Sequence, residues 1–134
     1  MNLGNYEETK KIFNKVLINY VKHYGKVHTE VAGVICNLGQ VYLLEGQIEI
    51  AETLIDQALK IFQKNRHPDS YMCLEILAKL YLEKSIQAMD KEDRQKSKIF
   101  KRRSTVYLNQ ALDIIKTHLP ERSAHITRIQ SKIK

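Results

Sequence analysis

The chain has 134 residues, enough for one core of ordinary size and too few for two independent large domains. Hydrophobic residues make up 43% and charged residues 28%, which excludes the disordered class, and 5 Gly with 2 Pro leave room for long uninterrupted helices. The net charge of +7 is uneven: residues 1–66 carry 8 basic and 7 acidic side chains, so nearly all of the excess lies in the second half.

The opening residues lack the apolar centre of a secretory leader, and no window approaches the ~18 apolar residues of a membrane span. A cytoplasmic protein with no membrane partner is expected. The first predicted helix runs from Asn5 to about His23, with Tyr6, Ile12, Phe13, Val16, Leu17 and Tyr20 at the spacing of an amphipathic helix, and Gly25 ends it. The second runs from Thr29, the expected N-cap, through Val31, Ile35, Leu38 and Tyr42 to Glu45, where Gly46 makes the turn. A third covers Gln47 to about Lys64, with Ile48, Ala51, Ile55, Ala58 and Phe62 on one side. His67-Pro68-Asp69 breaks the chain, and Asp69 or Ser70 is the expected cap of a fourth helix, Tyr71 to about Gln87.

Between Ser85 and Arg103 there is neither Gly nor Pro, and either an extended helix or a loop suits the composition. Within it Arg94, Lys96, Lys98, Lys101, Arg102 and Arg103 form a run of six bases without an acid. Such a run is ordinarily a solvated face, and it also offers a field for an acidic or phosphate-bearing partner. A fifth helix is predicted over Ser104 to Thr117, and Pro120-Glu121 opens a last one ending near Ile133.

Self-comparison finds a repeat. A shift of 42 lays Gly4-Asn5-Tyr6 on Gly46-Gln47-Ile48 and Tyr20 on Phe62, and a shift of 39 lays His28 on His67, Leu38 on Leu77 and Tyr42 on Tyr81. A shift of 53 lays Ile55 on Leu108 and Ala58-Leu59 on Ala111-Leu112, so the last copy carries an insertion of about 11 residues. Alternation between the shifts is what a repeat of paired helices produces.

The residues Ile35-x2-Leu38-Gly39-x2-Tyr42 followed by Ala51-x3-Ile55-x2-Ala58, and again Leu74-x2-Leu77-Ala78-x2-Tyr81 with Leu108-x2-Ala111, resemble the tetratricopeptide repeat. The longer unit, with His28-Thr29-Glu30-Val31-Ala32, His67-Pro68-Asp69 and Gly4-Asn5-Tyr6-Glu7-Glu8, is similar to the repeats of kinesin light chains. The resemblance implies an all-α fold, a right-handed α-solenoid of antiparallel helix pairs. It would be one domain over 1–134: a partial repeat 1–25, a repeat 28–66, a repeat with an insertion 67–118 and a terminal capping helix 120–134.

It further implies a protein-binding adaptor whose concave groove is lined by the first helix of each pair. The matching positions are Gly33, Cys36, Asn37, Gln40, Leu43 and Leu44 on one pair, and Met72, Glu75, Ile76, Lys79, Leu82 and Glu83 on the next. Asn37 stands where related domains hold a ligand's main chain. Met72 and Ile76 stand where carboxylate-clamping relatives carry cations, which disfavours that mode and leaves a protein or peptide partner, an acidic one in view of the charge. The alternative is a nucleic-acid accessory module using the basic run, with Phe100 inside it.

Because the chain starts at a second helix, Ile12, Phe13, Val16, Leu17 and Tyr20 are expected to form a face that self-associates or meets a neighbouring repeat of a longer array. No enzyme is expected. The five histidines lie mostly at pair junctions, Cys36 and Cys73 read as small core residues, and no nucleophile, metal or phosphate motif is present, so neither metal nor cofactor is anticipated.

Overall fold

The computed structural model describes residues 5–118 and 123–133, and the regular structure among them is helical, with no strand. Six helices follow in chain order: α1 Tyr6–Tyr24, α2 Thr29–Leu44, α3 Ile48–Lys64, α4 Ser70–Asp90, α5 Arg94–His118 and α6 Ser123–Ile133. The all-α class of paired helices is the one the sequence implied. The chain divides into two compact units, residues 1–67 and 68–134, at the His67-Pro68 break.

In the first unit α1 packs on α2 and α2 on α3. Val31, Ile35, Leu38 and Val41 of α2 and Ile48, Ala51, Ile55, Ala58 and Phe62 of α3 are all buried. The turn between them closes on Gly46 at φ +82°, with Gly46 N–H donating to Leu43 O and Gln47 N–H to Tyr42 O, both at 2.9 Å. This double bond pattern needs a left-handed residue after the helix, which glycine adopts without strain. Gly39 sits where α2 meets α3, and a Cβ placed there would fall 2.7 Å from Cδ1 of Ile55 and 3.3 Å from Cβ of Leu54.

The start of α2 differs from expectation. His28, not Thr29, is the N-cap: it is extended, and its Nδ1 accepts from Glu30 N–H at 3.0 Å while Thr29 is already helical. The same end of the pair, away from the Gly46 turn, is tied down by Asn65, whose Nδ2 donates to Val27 O at 3.1 Å and to Ile61 O at 2.8 Å.

Lys10, 8% exposed, anchors α1 on α2. Its Nζ lies 2.7 Å from Glu7, 2.8 Å from Glu45 at the end of α2, and 4.7 Å from the centre of the Tyr42 ring. The hydrogen bond to Glu45, then that to Glu7, hold its ammonium well above the usual lysine range, and the hydrogen bond and charge of Lys10 hold the Glu7 carboxyl below its own.

In the second unit α4 packs on α5 and α5 on α6. The residues between Ser85 and Arg103 are helix on both sides of a short turn. α4 continues to Asp90 and α5 begins at Arg94, so the predicted ends at Gln87 and Ser104 fall inside longer helices. With about 1.5 Å per residue, these 21- and 25-residue helices span about 32 and 38 Å against about 24 Å for the 16-residue α2. Ser85 faces Ser97 with hydroxyls 2.8 Å apart, and Ser104 Oγ donates to Ala78 O at 2.7 Å, pairings that fix an antiparallel register. The α4 N-cap is Asp69, but its side chain makes no capping hydrogen bond, and Ser70 lies inside the helix. Asp93 caps α5 instead, accepting from Lys96 N–H at 3.1 Å. Ile129 of α6 is fully buried; the expected opening of this helix at Pro120-Glu121 lies outside the described residues, as does Gly4.

Two outcomes follow from the first unit. Gly39→Ala overpacks the α2–α3 crossing and should destabilise by roughly 1–3 kcal/mol, whereas Gly33→Ala, with no atom near its added Cβ, should stabilise by roughly 0.5–1 kcal/mol. Denaturant midpoints that move the same way for both would contradict this account. Glu7 contributes its stabilisation above its ordinary 4.5 and loses it as pH falls through its lowered value; Lys10 contributes below 10.5 and loses it as pH rises through its raised one. Lys10→Met should therefore speed amide exchange in α1 selectively, leaving α3 unchanged, and remove the acid-side dependence of that exchange.

Candidate functional site

α2 is buried around most of its circumference, and what it leaves open is narrow. Asn37 and Leu44 are exposed, Gly33, Gln40 and Leu43 half-buried, and Cys36 buried at 2% exposure. Residues 33, 37, 40 and 44 follow the helical spacing of one stripe, so an amide-bearing strip flanked by one leucine is the open side of this helix. Asn37 and Gln40 each present a donor and an acceptor there, the combination that can pair with an extended main chain.

On α4 the anticipated positions separate. Lys79, Leu82 and Glu83 are exposed and Met72 is half-buried, while Glu75 and Ile76 are buried. Glu75 is engaged by α6: its Oε2 accepts from Arg128 Nη2 at 2.8 Å, and its Oε1 lies 3.6 Å from Lys132 Nζ. That carboxylate holds the terminal helix in place. The sequence showed no sign of this, since Glu75 and Arg128 are far apart along the chain and no local pattern links them.

Helix formation divides the basic run. All six side chains are exposed, but Arg94, Lys98 and Lys101 recur at helical spacing on one side of α5, with Arg102 beside them, whereas Lys96 and Arg103 point about half a turn away. Arg103 lies over the Tyr81 and Tyr107 rings at 5.5 and 5.8 Å. Phe100 packs 5.9 Å from Tyr81, with Lys84 above both rings. Along the outer half of the α4–α5 pair runs a cleft of about 680 Å³, walled by Leu82, Ile86 and Met89 on one side and Arg94, Lys98 and Lys101 on the other. Ile86 and Met89 were missed by sequence reasoning. Their signal was the 0, 4, 7 spacing shared with Leu82, visible once α4 is continued to Asp90.

On α1 Ile12 is 56% exposed, with Phe13, Val16, Leu17 and Tyr20 half-buried on the same side, while Ile18, 57% exposed, lies on the other side of the helix. Cys36 and Cys73 are buried and not joined in a disulfide. Among the described residues no three His, Cys, Asp or Glu side chains gather as metal ligands, and no helix is long and apolar enough to cross a membrane.

Helix pairs joined by tight turns and closed by small residues are the architecture of an all-α helical-repeat fold. Residues 1–64, nearly all of the first unit, match the family model of the tetratricopeptide repeat. Comparison with curated proteins returned no match. The tetratricopeptide repeat is in general a protein–protein interaction module and typically a scaffold without catalysis of its own.

The Glu75 contact has a direct check. Glu75→Gln keeps the shape but removes the charge facing Arg128 and Lys132, and should raise amide exchange in α6 with little change in α4 and α5. Exchange in α6 identical to that of the unmodified protein would show that buried Ile129 alone holds the helix.

Proposed function

We infer that this protein is an adaptor that holds a peptide or protein partner on the open faces of its first helices. The observation that carries the reading is the α2 stripe: on a helix whose other sides are sealed, Asn37 stays exposed and Gln40 half-exposed, next to an exposed Leu44. The stripe begins at exposed Glu30, and beyond that acid the paired amides beside an apolar side chain suit a main chain plus an aliphatic side chain. On α4, half-buried Met72 shares a stripe with exposed Lys79 and exposed Glu83, whose charges cancel, so the preference for an acidic partner rests on the net charge of +7. The repeat length and the histidines at the two pair junctions, His28 and His67, support a kinesin light chain-like subtype, for which a cytoplasmic setting is proposed. Exposed Ile12, with half-buried Phe13, Val16, Leu17 and Tyr20 on the same side of α1, supplies a further contact face, for a second copy or a neighbouring repeat.

A nucleic-acid accessory role for residues 94–103 is the second reading, favoured by the exposure of all six bases. It is weakened by their separation onto different sides of α5 and by the packing of Phe100 against Tyr81.

Capture from a lysate of the source cells, with Asn37→Ala and Gln40→Ala as comparisons, tests the first reading. Each lost hydrogen-bond set is worth about 1–1.5 kcal/mol, so the double variant should bind a captured partner at least about tenfold more weakly with unchanged helicity. Affinity untouched by both changes would remove the α2 stripe from the binding surface.

A further inference from the structure

The longer α4–α5 pair forms a cleft with two unlike walls, and the walls are in register. Leu82, Ile86 and Met89 succeed one another at 0, 4 and 7 along α4, and Arg94, Lys98 and Lys101 at the same steps along α5. The register set by Ser85 against Ser97 and by Ala78 against Ser104 brings Leu82 across from Lys101, Ile86 across from Lys98 and Met89 across from Arg94. One wall is apolar and the other cationic over about two helical turns, roughly 10 Å.

Leu82, Ile86 and Met89 are 39%, 54% and 50% exposed, so this is apolar surface standing in water rather than core. Asp90 is the single acid lining the cleft, at its outer end. Lys98 and Lys101 continue into a second hollow with Arg102 and Thr105, which extends the positive wall.

We propose that this cleft is a docking site for an acidic amphipathic helix, a partner segment with aliphatic residues on one stripe and carboxylates on the adjoining one. The charge of the cleft selects the sign of the partner. The common helical period of both walls selects its conformation, because only a helix repeats apolar and acidic groups at 0, 4 and 7 side by side. The walls themselves argue against a nucleic acid as the occupant: they are aliphatic where base stacking would need rings, and Phe100, the aromatic of the basic run, packs on Tyr81 instead. This site is separate from the α2 stripe, and it rests on the interaction class of the protein rather than on that stripe.

The experiment uses the full chain and a fluorescently labelled synthetic peptide of about four helical turns, with Leu on one stripe and Glu beside it, followed by anisotropy. A peptide with Lys in place of Glu is its counterpart. The unmodified protein should bind the Glu peptide and ignore the Lys peptide. Ile86→Glu should weaken binding by about tenfold or more, as should the uncharged Ile86→Gln to a smaller extent. Lys98→Glu with Lys101→Glu should lose the Glu peptide and gain the Lys peptide. Ile86, Lys98 and Lys101 are exposed, so helicity should be preserved, and Asn37→Ala should leave the affinity unchanged, which separates failure here from failure of the α2 stripe. The proposal is overturned if the Glu peptide does not bind, or if Ile86→Glu and Ile86→Gln bind it as well as the original. It is equally overturned if single-stranded RNA or anionic phospholipid vesicles bind through Lys98 and Lys101 while the peptide does not.

Discussion

Each helix pair depends on how closely two helix axes can approach, and that distance is set by small side chains at the crossing. In the first pair Gly39 lets the buried Ile55 side chain lie directly against the α2 backbone, closer than any β-carbon would permit. In the second pair serine takes this part: Ser85 against Ser97, and Ser104 on the Ala78 carbonyl. The two solutions differ in their chemistry. Glycine achieves close packing by leaving a space that aliphatic groups fill, while the serines bring hydroxyls into a buried seam where each must find a partner or forfeit its hydration. The serine seam therefore fixes register more sharply than an apolar one, since a one-residue slip would strand several buried hydroxyls at once.

Helix length is controlled separately, by residues that accept a left-handed backbone. Gly46 does so at the end of α2, but Arg66 at φ 51° and Glu92 at φ 59° do the same after α3 and α4. Both complete the same double bond pattern, Arg66 N–H to Gln63 O with His67 N–H to Phe62 O, and Glu92 N–H to Met89 O with Asp93 N–H to Ala88 O. A side chain in that region is mildly strained, so these stops are held by the structure around them rather than by the residue's own preference.

That difference explains what could be read in advance. Where glycine or His-Pro-Asp punctuates the chain, at Gly25, Gly46 and residues 67–69, helix ends were anticipated to within a residue or so, and the core positions Leu38, Ile55, Ala58, Leu77 and Ala111 are buried as their periodicity required. Where the stop is Glu92, no residue announced it, and the stretch from Ser85 to Arg103 remained open between helix and loop. The N-cap of α2 escaped for a related reason: a histidine ring nitrogen took the place of the hydroxyl that Thr29 offered. At the candidate sites, exposure of Asn37 and Lys79 could be expected from the stripe they occupy, but the engagement of Glu75 by Arg128 depends on where α6 lands, a tertiary fact that no window of sequence contains.

The insertion shows how one local choice reorganises a charge pattern. As a loop, residues 94–103 would present six cations as a diffuse field open to any polyanion. Wound into α5, the same residues are sorted by the helical period: three line one wall of a cleft, Arg103 rests over tyrosine rings, and Lys96 stands on the opposite side. Folding thus converts sequence-independent attraction into a surface with direction and spacing. The aliphatic wall contributed by α4 completes the selection, because a polyanion without apolar groups gains nothing from Leu82, Ile86 and Met89, and an apolar helix without carboxylates leaves Arg94, Lys98 and Lys101 unanswered.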